Sequence, residues 1–231
     1  IAAAGLTFVL LCGEIDLSVG TVALLSACAC GVLFQQPFAA GPGGDAPVSF
    51  ITMSLVIVVP VILAVLIGLC SGCLTVLSGL PSFIITLAMM NIATGMARYL
   101  TQSNTFRMPE FLKTIGNDGQ YALGIDWPYG AIVAFVVLLT GHIVLTHTRF
   151  GRYVYMTGGN RQAAMLAGVR TERIVIACLG ICAFTSAWGG MLTAGRIGGA
   201  TINQNTDLLL DAVACVVLGG TSLFGGEGSI G

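Results

Sequence analysis

Apolar residues run along this chain in long blocks, neither alternating as in a half-buried strand nor confined to one helical stripe. A spanning helix needs about 20 mostly apolar residues. The blocks at 18–35, 51–77, 82–100, 129–147 and 173–195 are read as such helices. Residues 1–12 read as the tail of another, and Pro60 is a possible kink in the long block at 51–77. The block at 207–218 is too short to span and runs into GGTSLFGGEGS, so it predicts a half-helix ending in a glycine-rich bend. Between the blocks, PFAAGPGGDAPVS reads as a loop and LSGLPS as a tight turn. The pattern predicts an all-α fold, a polytopic transmembrane helical bundle with broken or half helices at glycine-rich bends.

Composition supports this reading. The 231 residues are 56% hydrophobic and 8% charged, with mean hydropathy +0.95 and 32 glycines. A soluble domain carries roughly 25% charged residues, so this chain has too little polar surface to coat a globule. A net charge of −1 argues against a nucleic-acid partner. The chain opens on Ile1 within an apolar run and shows no signal peptide, so an internal stretch with spans missing at both ends is expected.

The cysteines Cys12, Cys28, Cys30, Cys70, Cys73, Cys178, Cys182 and Cys215 all lie in apolar runs. Cys70 and Cys73 form a C-x-x-C without a second pair at zinc-ligand spacing, so packing explains them and no metal site is expected. Orientation follows from the basic residues. Arg149, Arg152, Arg161, Arg170 and Arg173 crowd into 148–173, which the positive-inside rule makes cytoplasmic. Counting back puts 101–128 outside and LSGLPS inside, with Arg98, Arg107 and Lys113 as exceptions. Gly13-x-x-x-Leu17-x-x-Gly20 is echoed by Gly219-x-x-x-Leu223-x-x-Gly226, each after an apolar run, as in transporters with repeated discontinuous helices.

The segment TRFGRYVYMTGGNRQAAMLAGVRTER is unlike an ordinary connector. RQAAMLAGV is a short helix former, with Asn160 placed as its N-cap and Gly168 at its end. Arg161 and Gln162 are offered outward, and Ala163, Ala164 and Ala167 are small enough for close approach. The functional reading is a docking helix for a cytoplasmic partner; a merely basic inside loop is the plain alternative.

GEIDLSVG places Glu14 and Asp16 between apolar runs. A charge at the bilayer centre costs roughly 2.5–3.5 kcal/mol on the lenient scale. Irregular backbone at that depth must face protein or a water-filled cavity. Asp16 and Ser18 fit a helix start, where they would satisfy backbone donors. Glu14 is read as facing a polar path or an arginine of another span, with local capping as the alternative. Asp207 and Asp211 lie four apart and share a helical face, expected to meet a polar interior. His142 is read as a satisfied polar group, and Trp127, Tyr121, Tyr129, Tyr153 and Tyr155 as interface anchors. Trp188, beside Gly189 and Gly190, is read as packing.

The blocks GEIDLSVG, PSFIITLAMMNIATG, TRFGRYVYMTGGNRQAAMLAGV and LDAVACVVLGGTSLFGGEGSIG together resemble the permease subunit of bacterial ABC importers of the ribose/xylose/galactose class. The resemblance covers essentially the whole chain. It departs at Glu14, where many members have glycine, and at Leu209, where an acidic residue is expected. It implies a single permease domain over 1–231 in the bacterial inner membrane, paired with a second permease as homodimer or heterodimer. Two cytoplasmic ATPase subunits would bind ATP and Mg, and a periplasmic binding protein would deliver a small sugar. The residues Gly158, Gly159, Asn160, Arg161, Ala163, Ala164 and Gly168 would then form the coupling helix. Glu14, Asp16, Ser18, Asp207 and Asp211 would belong to the structural break and translocation path.

The chain has no G-x-x-x-x-G-K-[ST], so any ATP hydrolysis must come from a partner and no cofactor is expected in this chain. One rival is an ion- or proton-coupled secondary transporter using the four carboxylates. The other is an intramembrane glycosyl transferase, against which stands the lack of H-E-x-x-H, G-x-S-x-G or any nucleophile–base pair.

Overall fold

The computed structural model describes residues 1–35, 50–122, 125–204 and 207–230. The loop expected at PFAAGPGGDAPVS lies outside the described residues. Helices α1 (Ala2–Leu11), α2 (Val19–Phe34), α3 (Phe50–Ser78), α4 (Ser82–Thr101) and α5 (Glu110–Asn117) precede α6 (Tyr129–His147), α7 (Arg149–Gly159) and α8 (Arg161–Leu166). Then come α9 (Thr171–Ile197) and α10 (Leu208–Leu218). Strands are few and short: β1 (Phe106–Arg107), β2 (Gly119–Ala122), β3 (Ile125–Pro128) and β4 (Gly199–Ala200).

Helices α3, α4, α6 and α9, of 29, 20, 19 and 27 residues, are long and apolar enough to cross a membrane. Helices α1, α2 and α10 are apolar but shorter, at 10, 16 and 11 residues. At 1.5 Å per residue, α1 and α10 reach only about 15–17 Å, half of a bilayer core. Pro60 is buried inside α3, which continues through it.

Helix α9 is the centre of the bundle, packed against α1, α2, α3 and α5. Apolar contact alone drives little association in lipid, so helices there associate through small residues that let backbones approach. Gly190 of α9 lies on the backbone of Ala23, and Gly195 on that of Leu112. Gly72 of α3 leaves no room either, since an added Cβ would sit 2.7 Å from Ile176 Cα. Around these contacts, Leu25, Met108, Leu112 and Met191 fill one buried cluster, and Leu6, Leu11, Leu145 and Leu179 another.

Two stretches between the long helices carry structure of their own. Segment 101–128 contains the amphipathic α5, which buries Leu112 against α9, and the antiparallel hairpin β2–β3. β1 pairs antiparallel with β4, Phe106 opposite Ala200, and so ties the ends of α4 and α9 together. Segment 148–173 adds α7 before the expected short helix. Both helices have mixed polar and apolar faces, so neither interrupts the long apolar blocks that dominate the pattern.

Gly190→Ala pushes a methyl into the Ala23 backbone and is expected to lower stability by about 1–3 kcal/mol, the usual cost of overpacking. Gly95, inside α4, faces open space. Gly95→Ala should therefore be neutral or stabilising by up to about 1 kcal/mol. Denaturation of the purified chain in detergent measures both.

Candidate functional site

Helix α1 ends because Gly13 adopts φ +78°, a left-handed conformation that glycine takes without Cβ strain. The Gly13 amide donates to Leu10 O at 2.9 Å and the Glu14 amide to Val9 O at 3.1 Å, the paired bonds of a glycine C-cap. The chain then crosses the first turns of α4. Ile15 N donates to Ser82 Oγ at 2.9 Å and Leu17 N to Thr86 Oγ1 at 3.1 Å. Thr86 Oγ1 lies 3.3 Å from Ile15 O. Ser82 and Thr86 thus replace the water that a lone backbone group would need. Sequence reasoning passed over both; the signal was two hydroxyls four apart at the start of a helix.

Asp16 is buried at 3% exposure. Its Oδ1 accepts from Ser18 N at 2.8 Å and Ser18 Oγ at 2.6 Å, with Cys182 of α9 beside the carboxylate. Ser18 occupies the N-cap position of α2, but its hydroxyl bonds Asp16 and caps no helix amide, contrary to expectation. Asp16 holds the helix start instead. Glu14 points the other way, and its Oε1 accepts from Arg161 Nη1 of α8 at 2.9 Å. The carboxylate side is 11% exposed and the guanidinium side 44%.

Helix α10 ends as α1 does. Gly220 has φ +86°, its amide donates to Val217 O at 3.0 Å, and Thr221 N donates to Val216 O at 3.2 Å. The structural counterpart of Gly13 is therefore Gly220, one residue beyond the Gly219 of the sequence echo. The bend that follows α10 returns to the end of α1: Gly226 N donates to Leu11 O at 2.9 Å. Gly158 of α7 fits against both Leu11 O and Gly226 N, with no space for a side chain. An added Cβ on Gly226 would lie 2.6 Å from Gly159 Cα, whereas one on Gly159 meets nothing within 4 Å. The following residues are pinned by Tyr155 Oη donating to Gly228 O and by His142 Nδ1 on Ile230 O, each 2.7 Å. Partial burial holds the Tyr155 phenol above its usual value.

On α8, Asn160 Oδ1 accepts from Ala163 N at 2.9 Å, and Gly168 at φ +84° closes the helix. Arg161, Gln162, Ala163, Met165 and Ala167 are exposed, and Leu166 is 91% exposed. Ala164, one of the three alanines small enough for close approach, faces the bundle. It is 2% exposed and packs into the core with the α1 and α9 residues.

The five residues expected along a path do not converge. Glu14 and Arg161 line a cavity of about 390 Å³ with Pro81, Thr171 and Glu172. Asp211 lies in another, of about 660 Å³, with Asn117, Thr193 and Arg196. Asp207 is exposed at the N-cap position of α10 and makes no side-chain capping bond. Asp16 and Ser18 are turned into the fold. Trp188 is partly buried against the core.

A helical bundle with four long apolar helices and two half-helices linked through a glycine junction defines a multi-pass membrane protein with the design of a transporter. The chain belongs to the family described as branched-chain amino acid transport system / permease component, which matches residues 1–226. It is 31% identical to the ribose import permease protein RbsC of Haemophilus influenzae, over all of this chain and 68% of that protein. Bacillus subtilis RbsC is 34% identical over 98% of this chain and 66% of its own length. The xylose transport system permease protein XylH of Escherichia coli is 28% identical over 100% and 70%. No solved structure matches.

The neighbouring glycines 158 and 159 should respond differently. Gly158→Ala is expected to cost about 1–3 kcal/mol or more by prising the junction apart. Gly159→Ala should leave folded yield in detergent unchanged. Equal losses would refute the junction.

Proposed function

We propose that this chain is the membrane-spanning permease subunit of an ATP-driven importer in the bacterial inner membrane, moving a monosaccharide delivered by a periplasmic binding protein. The observation that carries the reading is α8, a capped helix that presents Arg161, Gln162, Met165 and Leu166 outward and is joined by Arg161 to the broken span at Glu14. An exposed leucine and methionine on a polar helix suit a protein partner better than water. That partner would be a cytoplasmic ATPase subunit, which binds ATP and Mg, while a second permease completes the path. Phe224, 94% exposed on the bend that touches α1 and α7, widens the docking surface.

In this reading each site residue has a task. Asn160 and Gly168 fix the ends of α8, and Ala163 admits the ATPase closely. Ala164 and Gly158 anchor α7 and α8 to the bundle, with Gly159 the free joint between them. When the ATPase subunits close on ATP, α8 shifts as a body, and the Arg161–Glu14 bond carries the shift to the segment between α1 and α2. Asp16 and Ser18 make α2 follow that segment. Asp207 and Asp211 supply polar wall on α10 and do not form a proton relay, since they share no cavity with Glu14 or Asp16.

Sugar as cargo is supported by the relatives named for ribose and xylose; the family description names branched-chain amino acids. Reconstitution of the full permease with its ATPase and binding protein, tested with ribose, xylose, fructose and leucine, decides between them. Sugar uptake that needs ATP and survives an uncoupler is expected. Uptake that collapses with the uncoupler and needs no ATPase would overturn the ATP-driven reading.

The ion pair should behave asymmetrically. Arg161→Gln strands a mostly buried carboxylate, a loss of about 1–3 kcal/mol, and is expected to uncouple ATP hydrolysis from uptake. Glu14→Gln frees a guanidinium that water reaches, so it should cost less. The double variant should transport better than Arg161→Gln alone, as measured by uptake per ATP hydrolysed.

A further inference from the structure

Two further cavities have linings distinct from those above. One, of about 510 Å³, is lined by Arg98, Ser103, Thr105, Thr201, Ile202 and Asn203. The other, of about 270 Å³, shares Arg98, Ile202 and Asn203 with it and continues past Gln204, Thr94 and Thr21 to Gly20 and Leu17. They adjoin, and together they run along α2 and α4 from the β1–β4 end of the bundle to the GEIDLSVG break.

The lining has unspent hydrogen-bonding capacity. Gln204 is 6% exposed, and its Nε2 has no hydrogen-bond partner among the described residues. A buried amide left unpaired is destabilising unless something binds it. Its Oε1 accepts a long bond from Thr201 N at 3.5 Å. Arg98 has neither an ion pair nor a side-chain hydrogen bond among the described residues. Gln102 N donates to Arg98 O at 2.8 Å, and Gln102 and Ser103 have φ values of +47° and +62°, left-handed conformations that side chains rarely adopt. Deeper in, Leu17, Leu24, Met90 and Leu209 provide an apolar wall.

We propose that these joined cavities are the cargo site of this permease, and that the ligand class is a neutral monosaccharide. Amide and guanidinium donors, hydroxyls and an apolar wall are the groups that meet a sugar's hydroxyls on one side and its C–H face on the other. The volume falls in the range of sites for single small molecules, about 300–1,000 Å³. Among the described residues no carboxylate lines either cavity, as recognition of an α-amino group would require. Gln204 Nε2 and the Arg98 guanidinium donate to sugar oxygens, and Thr94, Ser103 and Asn203 complete the contacts. The inference rests on the sugar-importer reading and adds to it the place where the sugar is held. It also gives Arg98, an exception to the charge count, a reason to be there.

The test uses the complete importer in proteoliposomes with ribose, xylose and fructose. Gln204→Leu and Arg98→Gln are each expected to raise the sugar concentration for half-maximal uptake about tenfold, the loss of one hydrogen bond to cargo, with assembled complex at wild-type level. Arg98→Lys should recover part of the loss. Because Gln204→Leu perturbs a buried position, exposed Arg98 carries the test if that variant fails to assemble. A readout without turnover comes from Ser103→Cys at the mouth. A transported sugar should slow its labelling by a membrane-impermeant thiol reagent severalfold, and an untransported sugar should not. If the wild-type importer takes up a sugar while both donor variants keep its concentration dependence and no sugar alters labelling, the cavity assignment is overturned and the importer reading stands. If the wild type takes up none of the sugars, both fall.

Discussion

Backbone that leaves a helix inside a bilayer must find its hydrogen bonds within the protein, and the arrangement of this chain follows from that requirement. Each unmet amide or carbonyl there costs several kcal/mol. The chain leaves helical geometry after α1 and again after α10, and it answers the cost twice in the same way. A left-handed glycine folds the last amides back onto the helix. Each remaining segment is then laid against a neighbour, residues 14–17 on the hydroxyls of Ser82 and Thr86, and Gly226 on Leu11 O. The second solution joins the two breaks to each other. It works only because Gly158, opposite both, has no side chain. The glycine content that looks like flexibility in the sequence is, at this junction, a condition of close packing.

The same constraint sorts the two carboxylates that interrupt the first apolar run. They are two residues apart in extended backbone, where the carbon framework alone would let them share a face. The structure separates them. Asp16 is turned into the fold, where two bonds from Ser18 replace water. Glu14 reaches outward to Arg161, at the end of the bundle where arginines gather. Between them Ile15 and Leu17 are tied through their amides to α4, and Leu17 also lines the deeper cavity. Five residues therefore touch the docking helix, the α4 start, α9 and the candidate cargo site. A displacement of any one of these elements is felt by the others without a long chain of intermediates.

Much of this was legible in the sequence, and the parts that were not share a cause. Long apolar blocks gave the positions of α3, α4, α6 and α9 to within a few residues, because length and composition alone decide membrane helices. The half-helix at 208–218 and the cap at Asn160 were likewise read from local chemistry. Helices α5 and α7 were missed because their mixed faces look like loops beside such apolar neighbours. Ala164 and Ala163 are indistinguishable in sequence, yet one is core and the other surface, since that depends on which side of α8 meets α1 and α9. The echo was placed one residue off because Gly219 and Gly220 adjoin, and only φ tells them apart. Arg98 and Gln204 stood 106 positions apart in the chain, and nothing local pointed from one to the other.

The contrast between the junction and the ion pair bears on how such a bundle can move. Backbone hydrogen bonds at Leu11–Gly226, with the tight seat of Gly158 behind them, make the end of α1, the bend after α10 and α7 one packed unit; interiors packed this closely shift as bodies and do not stretch. The Glu14–Arg161 bond is different in kind. One partner is nearly half exposed, so water can take over its interactions, and the net worth of the bond is modest. A rigid unit tied to the docking helix by the packing of Ala164 and by one exchangeable ion pair can shift with it while that pair is made or remade. A stronger tie, with both charges buried, would lock the pair. Placing the weaker partner on α8 and the buried one on the break keeps the cost of separation on the side that must move.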